Sequence, residues 1–191
     1  MSQITKRALE DSLKSLLLKK PLDKITISDI TNECGISRMT FYYHFKDIYD
    51  LVEWACAEDA RKALEGRKDY KGWQQGLCGI FQAILDNKPF ILNVYKSIGQ
   101  EQVEVYLYRI TYELIKDVVE ERAQDIPVRE EDKSFITRFY MYAFVGVMLD
   151  WIKEGMKESP EELSEKVGTI MFGNIDSSLQ KFRSDRTYQN R

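Results

Sequence analysis

The stretch from Thr26 to Phe45, TISDITNECGISRMTFYYHF, limits what the chain can fold into more than any other segment of its 191 residues. Thr26 is a residue type that caps helices, because its hydroxyl accepts one of the backbone N–H groups the first turn leaves without a partner. Asp29 stands three residues on, as in a capping box with Asp in place of Glu. Helical periodicity then runs over 27–34 and stops at Gly35, a residue suited to the left-handed conformation that commonly follows a helix. Ile36 leads to Ser37, a second cap, and RMTFYYHF predicts another short helix over 38–44. Two short capped helices joined by a glycine-containing turn, CGIS, form a helix-turn-helix. Such a unit reads DNA by placing the N-terminal part of its second helix in the major groove.

Arg38 and Met39 fall on that first turn, and Thr40, Tyr42, Tyr43, His44 and Lys46 follow. Ile30, Ile36, Phe41 and Phe45 are assigned to the core, with Phe41 and Phe45 four apart and facing Leu9 and Leu13. That leaves more rings and hydrogen-bonding groups than one small core can use, which points toward a polymer or ligand outside. Helix-turn-helix shape also occurs in bundles that bind no nucleic acid, so shape alone does not decide the matter.

Elsewhere the periodicity is helical, without sustained alternation of period two. Ile4, Ala8, Leu9, Leu13, Leu16 and Leu17 predict a first helix to about Lys19, which Pro21 ends. Asp47 caps a fourth helix from Ile48 to about Glu65, with Leu51, Val52, Ala55 and Cys56 as its buried stripe. GRKDYKG at 66–72 reads as a boundary. Further helices are expected near 72–86, 90–97, 101–123, 132–156 and 160–182, with Pro89, Pro127 and Pro160 marking breaks. Ser159, Pro160 and Glu162 form a second capping box with proline at the favoured first position. The expected architecture is all-α. A three-helix head carrying the helix-turn-helix occupies 1–50, a larger helical body occupies 51–183, and 184–191 is a flexible tail.

Composition narrows the function. No uninterrupted apolar run approaches the ~18 residues needed to span a bilayer, and the N-terminus has no signal-peptide pattern. A soluble cytoplasmic protein is therefore expected. Cys34, Cys56 and Cys78 are too widely spaced for a disulfide framework or a CxxC pair and read as core fillers. His44 is the only histidine, which removes His-rich metal sites and leaves hydrolytic triads little to work with. No acid/base or nucleophile constellation appears, so neither enzymatic activity nor a cofactor is expected. The competing class is an all-α enzyme or ligand carrier whose helix-turn-helix is purely structural. Residues 1–50 hold eight Lys/Arg against seven Asp/Glu, while the rest holds 20 against 24. A weakly basic head on an acidic body suits a few placed DNA contacts rather than bulk attraction to polyanions.

TISDITNECGISRMTFYYHFKDIYDL closely resembles the DNA-binding signature of the TetR family, in which T-[IV]-x-x-[IV] leads to G-[IV]-S-x-x-T-[LF]-Y-x-[HY]-F. The resemblance covers about residues 5–52, with caps, glycine, hydroxyls and aromatics in register. YHFKDIYDLVEW, with WIKEGMKESPEEL later, looks like the branch that includes regulators of dihydroxyacetone kinase operons. The resemblance implies a homodimer that binds a palindromic double-stranded DNA operator, gated by a small-molecule effector or a protein co-regulator. Matched by position, it makes Arg38, Met39 and Tyr42 base-reading residues. Thr26, Thr40, Tyr43, His44 and Lys46 become phosphate-side contacts, although His44 has a second reading as a ring packed under its own helix. Ile48 departs from the pattern, since many members carry a lysine there; Lys46 or the helix N-terminus must then serve.

In the body, Ile136, Phe139, Tyr140, Ala143, Phe144, Val147, Met148, Trp151 and Ile152 form one broad apolar stripe. Leu163, Val167, Ile170, Met171, Ile175, Leu179 and Phe182 form another. Both are either intramolecular core or the four-helix dimer interface that the resemblance implies. Aromatic walls with polar tips line many small-molecule pockets, and Trp73, Phe81, Tyr95, Tyr108, Tyr112 and Phe144 are the candidate ligand-binding residues. Each is also an ordinary core residue type. A hinge is expected where the fourth helix leaves the head and meets Gly66.

Overall fold

The computed structural model describes residues 2–63, 72–98, 100–171 and 173–185, with the side chains of 2, 63, 73, 74, 98 and 100–102 outside that description. The described chain is all-α, as the periodicity predicts. Its helices are α1 (Ser2–Leu17), α2 (Ile27–Cys34), α3 (Arg38–His44), α4 (Ile48–Ala63), α5 (Trp73–Asp86), α6 (Lys88–Ile98), α7 (Gln100–Arg122), α8 (Glu130–Lys153), α9 (Pro160–Met171) and α10 (Asn174–Lys181), with a 3₁₀ turn at Leu22–Lys24. The chain divides into two compact units, residues 1–62 with 86–103, and residues 63–85 with 104–191.

The first unit is therefore larger than a head ending at residue 50. Leu9, Leu13, Leu16 and Leu17 of α1, Ile30 of α2, Phe41 of α3 and Phe45 share one core with Leu51, Val52 and Ala55 of α4 and with Phe90 and Val94 of α6. Three short helices cannot close over so many apolar groups, and α4 and α6 complete the enclosure. Ile4 lies outside this core and is exposed. Lys14 ties α1 to α4, with Nζ 2.7 Å from Glu10 and 2.8 Å from Asp59. Burial disfavours its charge, but the Asp59 and Glu10 carboxylates outweigh that cost and hold its pKa above the ordinary range. Cys34 and Cys56 pack against this core, and burial pushes the Cys56 thiol up to about 12, so no thiolate forms there near neutrality.

The second unit buries Leu77 and Phe81 of α5, Ile115, Val118 and Val119 of α7, and the inward sides of α8, α9 and α10. Arg122 of α7 holds Asp176 of α10 through two parallel hydrogen bonds. Past α10 the chain returns to the α7–α8 connection, where Ser184 donates its N–H to the Pro127 carbonyl at 2.8 Å. α8 is long and apolar enough on average to cross a bilayer, yet 56% of that stretch is buried inside the fold, which is the signature of a core helix.

Two helix ends differ from expectation. α8 stops at Lys153 because Gly155 adopts φ +83 and the Met156 N–H turns back to the Trp151 carbonyl, a Schellman closure. The helix expected over 160–182 is two helices, broken where Gly173 adopts φ +75. Pro89 falls inside the first turn of α6, with the break two positions earlier at Asn87. The expected boundary at 66–72 lies outside the described residues except for Gly72, as do residues 186–191 of the tail.

At Gly35, φ is +67 and an added Cβ would meet nothing within 4 Å. Gly35→Ala therefore pays only the left-handed backbone penalty, and we expect it to lower unfolding free energy by ~1 kcal/mol in urea titration. An unchanged midpoint would show that the turn relaxes at no cost.

Candidate nucleic-acid interface

The local chemistry read from the sequence forms the site's framework. The Thr26 hydroxyl accepts the Asp29 N–H at 3.1 Å, and the Asp29 carboxylate accepts the Thr26 N–H at 2.8 Å, completing a reciprocal capping box on α2. Ser37 Oγ accepts the Thr40 N–H at 3.1 Å and so caps α3. Asp47 Oδ1 accepts the Asp50 N–H at 2.9 Å at the head of α4, while Asp50 accepts the Lys46 N–H. Side-chain caps therefore fix where α2, α3 and α4 begin.

Within α3, residues one turn apart share a face. Phe41 is wholly buried and Phe45 nearly so, at 5.9 Å between ring centroids. Arg38 and Tyr42, with Met39 and Tyr43 beside them, form the outward rows. Met39 and Tyr43 are each 83% exposed and Tyr42 is 53% exposed, although the chain could have packed such large side chains inward. Arg38 and Lys46 are also exposed. The outer face of α3 is an array of a guanidinium, a thioether and two phenols, able to donate to base edges and to pack against thymine methyl groups.

The phosphate-side candidates are less uniform. Thr26 is exposed, and its hydroxyl donates to Asp29 at 2.8 Å. Thr40 is half-buried, and its hydroxyl lies 2.8 Å from that of Ser37. His44 is half-buried, with its ring edge-on to Tyr43 at 5.0 Å between centroids. Ile48 packs against the core, which accounts for the missing lysine: this position serves the fold here. Sequence reasoning overlooked Lys6, whose Nζ sits over the rings of Phe45 and Trp54 at 5.4 and 5.5 Å and adds a cation beside α3.

Asp29 is the one strongly shifted acid at this site. The Lys20 ammonium, 2.8 Å away, leads in holding its carboxyl down to about 2, with the Thr26 backbone and hydroxyl adding to the effect. A depressed carboxyl pKa stabilises the fold above the ordinary carboxylate range of ~4, and that contribution is lost as pH falls toward 2. We therefore expect the Asp29→Asn variant to be less stable than the parent at neutral pH and to converge with it at low pH, measured by thermal melts across the series.

The candidate ligand residues are divided between the two compact units. Tyr95 belongs to the first compact unit, while Phe81, Tyr108, Tyr112 and Phe144 belong to the second. Phe81 is wholly buried against Phe144 and Trp151, at 5.6 and 5.3 Å between centroids. Tyr108 stacks edge-on against Tyr142, and Tyr112 is half-buried. The Trp73 side chain lies outside the described residues. Among the described residues no group of three or more His, Cys, Asp or Glu could hold a metal.

Residues 11–55 match the model of bacterial regulatory proteins of the tetR family, and residues 71–173 match a transcriptional regulator C-terminal region of the same family. The chain is 25% identical over 177 residues to the HTH-type dhaKLM operon transcriptional activator DhaS of Lactococcus lactis subsp. lactis (strain IL1403), covering 91% of this chain and 92% of that one. It is 26% identical over 166 residues to the uncharacterized HTH-type transcriptional regulator YerO of Bacillus subtilis (strain 168), of whose length it spans 57%. Among solved structures, the dihydroxyacetone kinase operon activator DhaS superposes with a TM-score of 0.71 at 22% identity, covering 95% of this chain and 99% of that one. A TetR transcriptional regulator from Streptococcus agalactiae 2603V gives 0.58 at 20% identity, covering 88% and 94%. With a helix-turn-helix whose reading face is exposed and both halves matching the same family, the chain belongs to the TetR family of transcriptional regulators.

Proposed function

We propose that the protein is a homodimer that binds a palindromic operator through two copies of α3, with Arg38, Met39 and Tyr42 on base edges. Thr26, Thr40, Tyr43, His44 and Lys46 then lie on the phosphate side. The observation that carries this reading is the outer face of α3, where large side chains stand exposed on a helix whose start is fixed by the Ser37 cap. A two-fold dimer reads half-sites about one helical turn apart or a multiple of it, ~34–36 Å for one turn.

The dimer is supported by α8. The stripe read as one surface divides in two: Ile136, Tyr140, Phe144, Met148, Trp151 and Ile152 are buried within the chain, while Phe139, Ala143 and Val147 are exposed, alongside Phe135 and Tyr142. Gly146 lies in the exposed row with nothing within 4 Å of a built Cβ, which leaves room for a second helix to approach closely. Ile170 of α9 is 67% exposed. A second copy of this face is the simplest cover for so much apolar surface. Effector gating, by a small molecule or a protein co-regulator, would act through the second unit, where Tyr108 and Tyr112 keep polar tips at half-buried positions. The protein would work in the cytoplasm, where its DNA lies.

The test is a gel shift of the full chain on the DNA upstream of its own gene, across a salt series. Retarded, sequence-dependent complexes whose affinity falls steeply with salt are expected, because each neutralised phosphate releases counterions. Equal binding to unrelated duplexes at every salt would sink the proposal. Whether a bound operator is repressed or activated depends on its position relative to the promoter, and a reporter fusion reads that sign directly.

A further inference from the structure

α6 belongs to the first unit although the chain on either side of it, through Leu85 and from Glu104, belongs to the second. Phe90 and Val94 anchor it in the core shared with α1 and α4. Beside Val94 stands a polar residue, Asn93, at the end of α1. Pro21 interrupts the backbone ladder there, since it has no N–H and cannot continue a helix. The Leu17 and Lys20 carbonyls and the Leu22 N–H fall at this interruption and need partners from elsewhere. Asn93 supplies all three. Its Oδ1 accepts the Leu22 N–H at 3.0 Å, and its Nδ2 donates to the Leu17 carbonyl at 3.1 Å and to the Lys20 carbonyl at 3.3 Å. Ser97 Oγ, one turn along α6, donates to the same Oδ1 at 3.3 Å. The network fixes the amide's orientation. Turned over, it would set its NH₂ against an N–H and its oxygen against two carbonyls.

The segment held in this way leads directly to the reading unit. The 3₁₀ turn at Leu22–Lys24 runs through buried Ile25 into the Thr26 cap, and Lys20 donates to Asp29 of the same capping box at 2.8 Å. A residue serving only to fill space beside Phe90 and Val94 would be apolar, and leucine keeps the branching of asparagine with methyl groups in place of the amide oxygen and nitrogen. A carboxamide is selective in another way, because its three backbone bonds form only when the α1–α2 connection has one particular course.

We propose that Asn93 is a positioning residue for operator binding: from α6 it brackets the α1–α2 connection and so holds the helix-turn-helix in its reading geometry. The inference rests on the operator-binding function proposed above. The test uses full-length chain, the operator duplex that the wild-type chain retards, and an unrelated duplex of equal length, compared by fluorescence anisotropy. Asn93→Leu should lower the ratio of operator to unrelated affinity roughly tenfold, a typical coupling between sites. A residue that merely stabilised the fold would lower both affinities together through the folded fraction and leave their ratio unchanged; that result overturns the proposal. A wild-type chain with no preference between the duplexes would instead overturn operator binding itself. Should Asn93→Leu not fold, Asn93→Asp keeps the acceptor for Leu22, loses the two donors and is read in the same way. Hydrogen exchange on the wild-type chain provides a check without substitution. Peptides spanning 17–25 should gain protection with the operator and not with the unrelated duplex, and equal protection with both overturns the proposal.

Discussion

Phe139→Glu is expected to convert the chain to monomers and to weaken operator binding at least ~100-fold. Phe139 is 61% exposed at the middle of the outward row of α8, so a carboxylate there costs the isolated fold little. Across a two-fold axis, however, the same substitution places charge in an apolar contact twice, where it has no partner. Operator affinity then collapses for a reason separate from the interface. Two heads on one body bind the second half-site at an effective concentration that single heads in solution never reach. Analytical ultracentrifugation reads the first effect and anisotropy on the full operator reads the second. The thermal midpoint at high dilution should barely move. A Phe139→Glu chain that sediments as a dimer would place the self-contact elsewhere and leave the α8 face without its proposed cover.

Arg38→Ala and Lys46→Ala should separate into two kinds of defect. Arg38 stands exposed on the first turn of α3, where a guanidinium can hold guanine through two hydrogen bonds, so its loss should cost ~1–3 kcal/mol and relax preference at one base pair in each half-site. Lys46 follows α3 with its side chain exposed. A phosphate sees it as a charge alone, so Lys46→Ala should weaken all duplexes about equally and flatten the salt dependence. Affinity for a panel of single-base operator variants at several salt concentrations distinguishes the two. Matching profiles for both variants would mean that the assigned division between base and backbone contacts is mistaken.

The helix-turn-helix was legible residue by residue because its determinants are local. Thr26 with Asp29, Ser37 with Thr40 and Gly35 each act within three or four positions, and helices 27–34 and 38–44 fall where those signals place them. The break at Gly173 was not legible. Leu163, Val167, Met171, Ile175 and Leu179 continue at four-residue steps across it, so the apolar rhythm gives no sign that the helix stops. The division of α8 into inward and outward rows was equally hidden, because Phe139 and Val147 are as apolar as Tyr140 and Met148 and only packing tells them apart. Asn93 was the hardest to see. Its partners are 71 to 76 residues away, and a polar residue in an amphipathic helix reads by default as its wet side.

The membership of α6 in the first unit bears on how the protein is made. A nascent chain that has emerged only as far as Lys62 has every residue of the helix-turn-helix, but Phe90, Val94 and Asn93 are still to come. Until about forty more residues are synthesised, ~2–8 s at common elongation rates, Leu22 and its neighbours have no carboxamide to meet them and part of the core stays open to water. The DNA reader is thus finished late, after α5 has been made. A chain cut short before α6 would carry the whole signature of a regulator without the side chains that complete its core and bracket its α1–α2 connection. For the engineer, a head moved to another body needs residues 86–103 to travel with it.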